Sequence, residues 1–84
     1  MGRAGRRETL LEILDEVLHE PLPRPWPDDR PLVEAGLDSV AVLRIVDELE
    51  RRFGLALGPR DLAAENFRNL AALEALLEQK GIGP

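Results

Sequence analysis

Apolar residues recur at helical spacing in three stretches of the chain, and no stretch alternates with the period of two that a half-buried strand needs. In the first, Leu10, Leu11, Ile13, Leu14, Val17 and Leu18 oppose Glu12, Asp15 and Glu16. Thr9 and Glu12 have capping-box spacing near its start, which leaves room for the helix to begin a turn earlier, and Pro21 follows its end. A second helix is predicted from Ser39 to Phe53, with Asp38 as N-cap and Gly54 as C-terminal stop. Its inward stripe is read as Leu43, Val46, Leu49 and Phe53, widened by Val42 and Ile45. Arg44, Asp47, Glu48, Arg51 and Arg52 face outward. A last helix starts near Asn69, carries Leu70, Leu73, Leu76 and Leu77, and stops before Gly81. Between these two, Asp61 to Phe67 has room for only one or two turns. The pattern predicts an all-α fold: a small four-helix bundle with a long first loop and a short third helix.

That first loop, Glu20 to Asp38, holds five prolines and no helical period. Proline has no amide donor and resists helix interiors, so the segment reads as an ordered connection. Its length is unusual for a compact domain and requires anchors. Leu22, Trp26, Leu32, Val33 and Leu37 can supply them, with the sole tryptophan read as a packing anchor.

Composition narrows the function. Eighty-four residues make at most one domain with a thin core. No run of about 18 apolar residues offers a membrane span, and no apolar segment follows the N-terminal arginines as in a secretory signal. The expected location is cytoplasmic. Arg3, Arg6 and Arg7 fall among seven residues without an acid, leaving eight basic against sixteen acidic residues in the remainder. An acidic body of this kind repels nucleic acid and attracts basic protein surfaces. The boundaries follow: residues 1–7 as a flexible basic arm, 8–80 as the domain, 81–84 as a flexible tail.

Catalytic chemistry is poorly supplied. Cysteine is absent, which removes disulfides, thiolate nucleophiles and cysteine-ligated zinc, and a single histidine, His19, leaves almost no room for a histidine-based metal site or a triad. Adjacent carboxylates such as Asp28 and Asp29 read as solvated surface charge, and no phosphate-cradling glycine loop occurs. Ser39 stands apart. Gly36-Leu37-Asp38-Ser39-Val40 puts a serine after a glycine turn, in the first turn of an amphipathic helix, where free amides and the positive helix end favour a phosphate ester. On the pentapeptide alone the plainer reading is favoured, with Asp38 as a cap and Ser39 as an ordinary first-turn residue.

The wider sequence carries more. Leu32-Val33-Glu34-Ala35-Gly36-Leu37-Asp38-Ser39-Val40, then Leu43 and Leu49-Glu50-Arg51-Arg52-Phe53-Gly54, resembles the acyl carrier protein family, whose members have L-x-x-x-G-x-D-S-[LV] followed by a helix ending in L-E-x-x-F-G. The likeness continues through Leu57 to Leu62 and Glu65 to Leu70, covering roughly Thr9 to Gln79.

The resemblance implies a non-catalytic carrier of acyl-carrier fold. A phosphopantetheinyl transferase would attach 4'-phosphopantetheine to Ser39, and the imported thiol would hold acyl intermediates as thioesters. Asp38 would serve transferase recognition and the cap; Leu37 and Val40 would form an apolar collar around the arm; Leu43 and Val46 would bound the interior. Arg44, Asp47, Glu48 and Arg51 would lie on the face that docks partners: the transferase, an acyl- or aminoacyl-loading enzyme, and the synthase or transferase that takes the cargo. A monomer binding neither nucleic acid, membrane nor metal is expected. Arg44 and Arg51 stand where fatty-acid carriers often have glutamate, and Asp47 where an apolar contact is common. These departures weigh against dedicated fatty-acid synthesis, and the Glu65-Asn66-Phe67-Arg68-Asn69-Leu70 segment resembles freestanding carriers of polyketide or related natural-product assembly. An aminoacyl or peptidyl carrier is the alternative, although Asp38 stands where such carriers usually have glycine or histidine. An unmodified helical adaptor is a further alternative.

Overall fold

The computed structural model describes residues 5–84. Three α-helices, α1 (Arg6–Val17), α2 (Ser39–Phe53) and α3 (Leu70–Gln79), are joined by irregular chain that contains three 3₁₀ turns: Leu32–Ala35, Pro59–Leu62 and Ala64–Phe67. The expected short third helix is therefore not an α-helix, and the described residues hold three α-helices rather than four. Its place, between α2 and α3, is taken by two consecutive 3₁₀ turns. Pro59 lacks an amide donor, and Ala63, at ψ 137°, interrupts the helical path between the two turns.

α1 begins at Arg6, a turn before the Thr9–Glu12 pair, so the expected capping box does not form; Gly5 is the N-cap and offers no side chain. Arg6 and Arg7, read from sequence as part of an arm, are helical. Arg6 binds Glu74 and Glu78 of α3 and the carbonyl of Ile82, while Arg7 binds Glu74 and Asp28. Arg3 lies outside the described residues. At the other end the Ile82 amide donates to Leu77, and its side chain packs on the core.

One core holds the three helices together. Leu10, Ile13, Leu14 and Val17 of α1 meet Ala41, Ile45 and Leu49 of α2 and Leu70, Leu73, Leu76 and Leu77 of α3, with Phe67 from the second of the paired 3₁₀ turns. Each fully buried Leu or Ile contributes roughly 1.5–3 kcal/mol of transfer free energy. That burial offsets the weak helix propensity of the β-branched Val40, Val42, Ile45 and Val46 in α2.

Side-chain and backbone hydrogen bonds tie down the long loop. Leu22 N–H donates to Asp15 (2.9 Å), and Trp26 Nε1 donates to the Arg30 carbonyl (3.2 Å). Leu32 N–H donates to the Arg68 carbonyl (2.8 Å), and Ala71 N–H to the Asp28 carbonyl (3.1 Å). Leu22, Trp26, Leu32 and Leu37 are buried, as anchors of the loop must be, whereas Val33 is 67% exposed.

The orientation of α2 differs from the sequence reading. Ala41, Ile45 and Leu49 form the buried line, flanked by half-buried Val42, Val46 and Phe53. Leu43, assigned to the inward stripe, is 66% exposed. α2 carries too many apolar residues in its first two turns for one face to cover, so a pattern centred on Leu43 and one centred on Ile45 fit the sequence comparably. Packing against α1 selects the second.

Candidate functional site

Gly36 closes the Leu32–Ala35 turn at φ +95°, a left-handed conformation that side-chain-bearing residues rarely adopt. The chain then extends through Leu37, and Asp38 caps α2 by accepting the Ala41 amide at 2.8 Å. Ser39 is the first helical residue and is exposed. Among the described residues its side chain makes no hydrogen bond to a base, so the hydroxyl presents itself without internal activation.

Two hollows flank this helix start. The larger, a cleft of about 370 Å³, is lined by Val33, Leu37, Ser39, Val42, Phe67 and Arg68, with Asp38 and Ala64 completing it. The smaller, about 70 Å³, lies between the end of α1 and the outer side of α2 and includes His19, Asp38, Val40 and Arg44. The expected collar is thus divided. Leu37 is buried in the core and reaches the larger cleft, while Val40 is 66% exposed and borders the smaller one. Nor do Leu43 and Val46 bound the interior together: Val46 packs against the core and Leu43 stands outside it. Val33, Phe67 and Arg68 were not singled out as site residues. The break in helical period at residues 63–69 gives no means of pointing Phe67 and Arg68 toward Ser39, and Val33 reads only as a loop anchor.

Val40, Leu43, Arg44, Asp47 and Arg51 are all exposed and share one face of α2, being spaced at i, i+3, i+4, i+7 and i+11. Glu48 departs from that face. Its carboxylate binds Arg51 and Arg52, which together hold it below the usual carboxylate range, and Arg52 continues to Glu12 (3.2 Å) and Glu16 (2.6 Å) on α1. Glu48 therefore helps to brace α2 against α1.

A family model described as phosphopantetheine attachment site matches residues 8–77. The chain belongs to this family. Domains of the family are non-catalytic carriers of the 4'-phosphopantetheine prosthetic group. No curated protein matches the chain. As a phosphopantetheine carrier domain, the chain presents surroundings that suit the group. The exposed serine has no side chain hydrogen-bonded over it, and the adjoining cleft runs along apolar residues. No helix among the described residues is long and apolar enough to cross a membrane.

Proposed function

We propose that Ser39 is the attachment residue and that the protein carries acyl intermediates in polyketide or related natural-product assembly. The observation that carries this reading is the position of Ser39: exposed, first in α2, behind an Asp38 cap and a left-handed Gly36, within a chain of the phosphopantetheine attachment family. The prosthetic group would supply the terminal thiol, absent from a cysteine-free chain, on which acyl cargo is held as a thioester.

The chain's own residues do the placing. Asp38 fixes the first turn of α2, so the Ser39 hydroxyl is presented at a rigid helix start. A phosphopantetheinyl transferase must supply the base for that hydroxyl, since Ser39 has no such partner among the described residues. Val33, Leu37, Val42, Ala64 and Phe67 give the cleft beside Ser39 an apolar wall, which supports acyl cargo over charged aminoacyl cargo. Val40 and Leu43, with Arg44, Asp47 and Arg51, form a docking face of mixed sign for the transferase, the loading enzyme and the enzyme that receives the cargo.

Intact mass after incubation with coenzyme A and a broad-specificity phosphopantetheinyl transferase tests the attachment. Wild type gains the mass of one phosphopantetheine; Ser39→Ala gains none and keeps its helical circular dichroism. A gain that persists in Ser39→Ala, or no gain in wild type, overturns the assignment.

A further inference from the structure

Ten basic side chains lie among the described residues, and seven of them, Arg6, Arg7, Arg24, Arg30, Arg51, Arg52 and Lys80, pair with carboxylates. Arg44, Arg60 and Arg68 have no carboxylate partner among these residues. In a chain with net charge −5 and an excess of acids, an unpaired guanidinium is a feature of position rather than of supply. Of the three, only Arg68 lines the cleft that Ser39 lines.

Arg68 is also held in place. Its carbonyl accepts the Leu32 amide at 2.8 Å, and its Nη1 donates to the Glu65 carbonyl at 3.0 Å. Nε and Nη2 have no acceptor among the described residues. Asp38 borders the same cleft; one of its oxygens accepts the Ala41 amide, yet its charge still opposes a second anion placed beside it. A phosphodiester on Ser39 would bring one negative charge to this spot, within a single bond of the hydroxyl oxygen. It is therefore the part of the arm confined to this cleft, whereas the distal thiol and its cargo can leave. A planar guanidinium with Nε–H and Nη2–H both free along one edge suits two phosphate oxygens.

We infer that Arg68 binds the phosphodiester of the modified Ser39 and so orients the arm along the Phe67 side of α2. This rests on the reading of Ser39 as the attachment residue. Arg44 is not its equivalent, because the hollow it borders contains Asp38 and Val40 but not Ser39.

Wild type, Arg68→Gln, Arg68→Lys, Arg44→Gln and Arg60→Gln, each as unmodified and modified protein verified by intact mass, provide the test. In wild type at low salt, modification raises the thermal midpoint by about 1–5 °C, as expected for one exposed ion pair in a domain this small. The rise disappears in Arg68→Gln, is partly kept in Arg68→Lys, persists in Arg44→Gln and Arg60→Gln, and shrinks at high salt. In ¹⁵N-labelled wild type, the Arg68 Nε–H resonance moves on modification, a readout that does not depend on any variant folding. An unmoved Arg68 resonance, no rise in modified wild type, or a full rise in Arg68→Gln overturns the inference while leaving Ser39 intact. Failure of wild type to gain mass overturns the Ser39 assignment itself.

Discussion

Val40 and Leu43 stand one turn apart on the outward side of α2, each 66% exposed, while Ile45 and Leu49 on the opposite side are sealed from solvent. Truncation should therefore separate the two sides. Leu43→Ala is expected to change stability by less than about 0.5 kcal/mol, as for other surface substitutions. Ile45→Ala is expected to cost about 2–5 kcal/mol, through lost burial and the cavity left behind. Urea unfolding at neutral pH measures both; a large loss in Leu43→Ala would place that side chain in the core.

Exposure of two large aliphatic groups beside Ser39, the proposed attachment residue, has a functional counterpart. Leu43→Asp is expected to lower kcat/KM for phosphopantetheine transfer about tenfold, the penalty for placing a charge in an apolar docking contact, with little change in the unfolding midpoint. Transfer rates read by mass spectrometry check this. An unchanged rate would remove Leu43 from the docking face.

Asp38 links stability to presentation. Replacing it with alanine leaves the Ala41 amide uncapped and is expected to cost about 0.5–2 kcal/mol. The loss should appear in urea unfolding and as faster hydrogen exchange confined to the first turn of α2. Asparagine at the same position retains a cap acceptor and should recover most of the stability.

Asp61 supplies an acid-sensitive contact. Its carboxylate binds Lys80 at 2.6 Å and accepts the Gly58 amide at 2.8 Å, and these partners hold its pKa below the ordinary aspartate value. A carboxyl with a lowered pKa in the folded state binds fewer protons there than in the unfolded chain. The stability it contributes is present above about pH 4 and is lost as pH falls through the folded-state value. Asp61→Asn should therefore flatten the fall in urea midpoint between about pH 5 and pH 2, with the wild type and variant curves converging at the acid end.

Much of this molecule was legible in its sequence because capping and turn signals act locally. Asp38, Gly36, Gly54 and Asn69 each do in the structure what their chemistry predicts, and they bracket α2 and the start of α3 within a residue or two. The rotation of α2 was not legible. Consecutive apolar residues from Val40 to Leu43 leave the buried direction undetermined until α1 is packed against it. Leu43 was misplaced for that reason. The sequence leaves the start of α1 open by one turn because the partners that stabilise Arg6, Glu74 and Glu78, lie more than sixty residues away. The cleft beside Ser39 was hidden similarly, since Phe67 and Arg68 reach it through 3₁₀ turns that carry no amphipathic period.

The Leu32 amide on the Arg68 carbonyl and the Ala71 amide on the Asp28 carbonyl fasten the chain ahead of Ser39 to the start of α3. An anchor that does not wander makes the radius of a swinging tether a property of the tether alone. On the reading of Ser39 as the attachment residue, docking at one orientation would fix which active sites fall inside that radius and set the effective concentration of cargo that each of them meets.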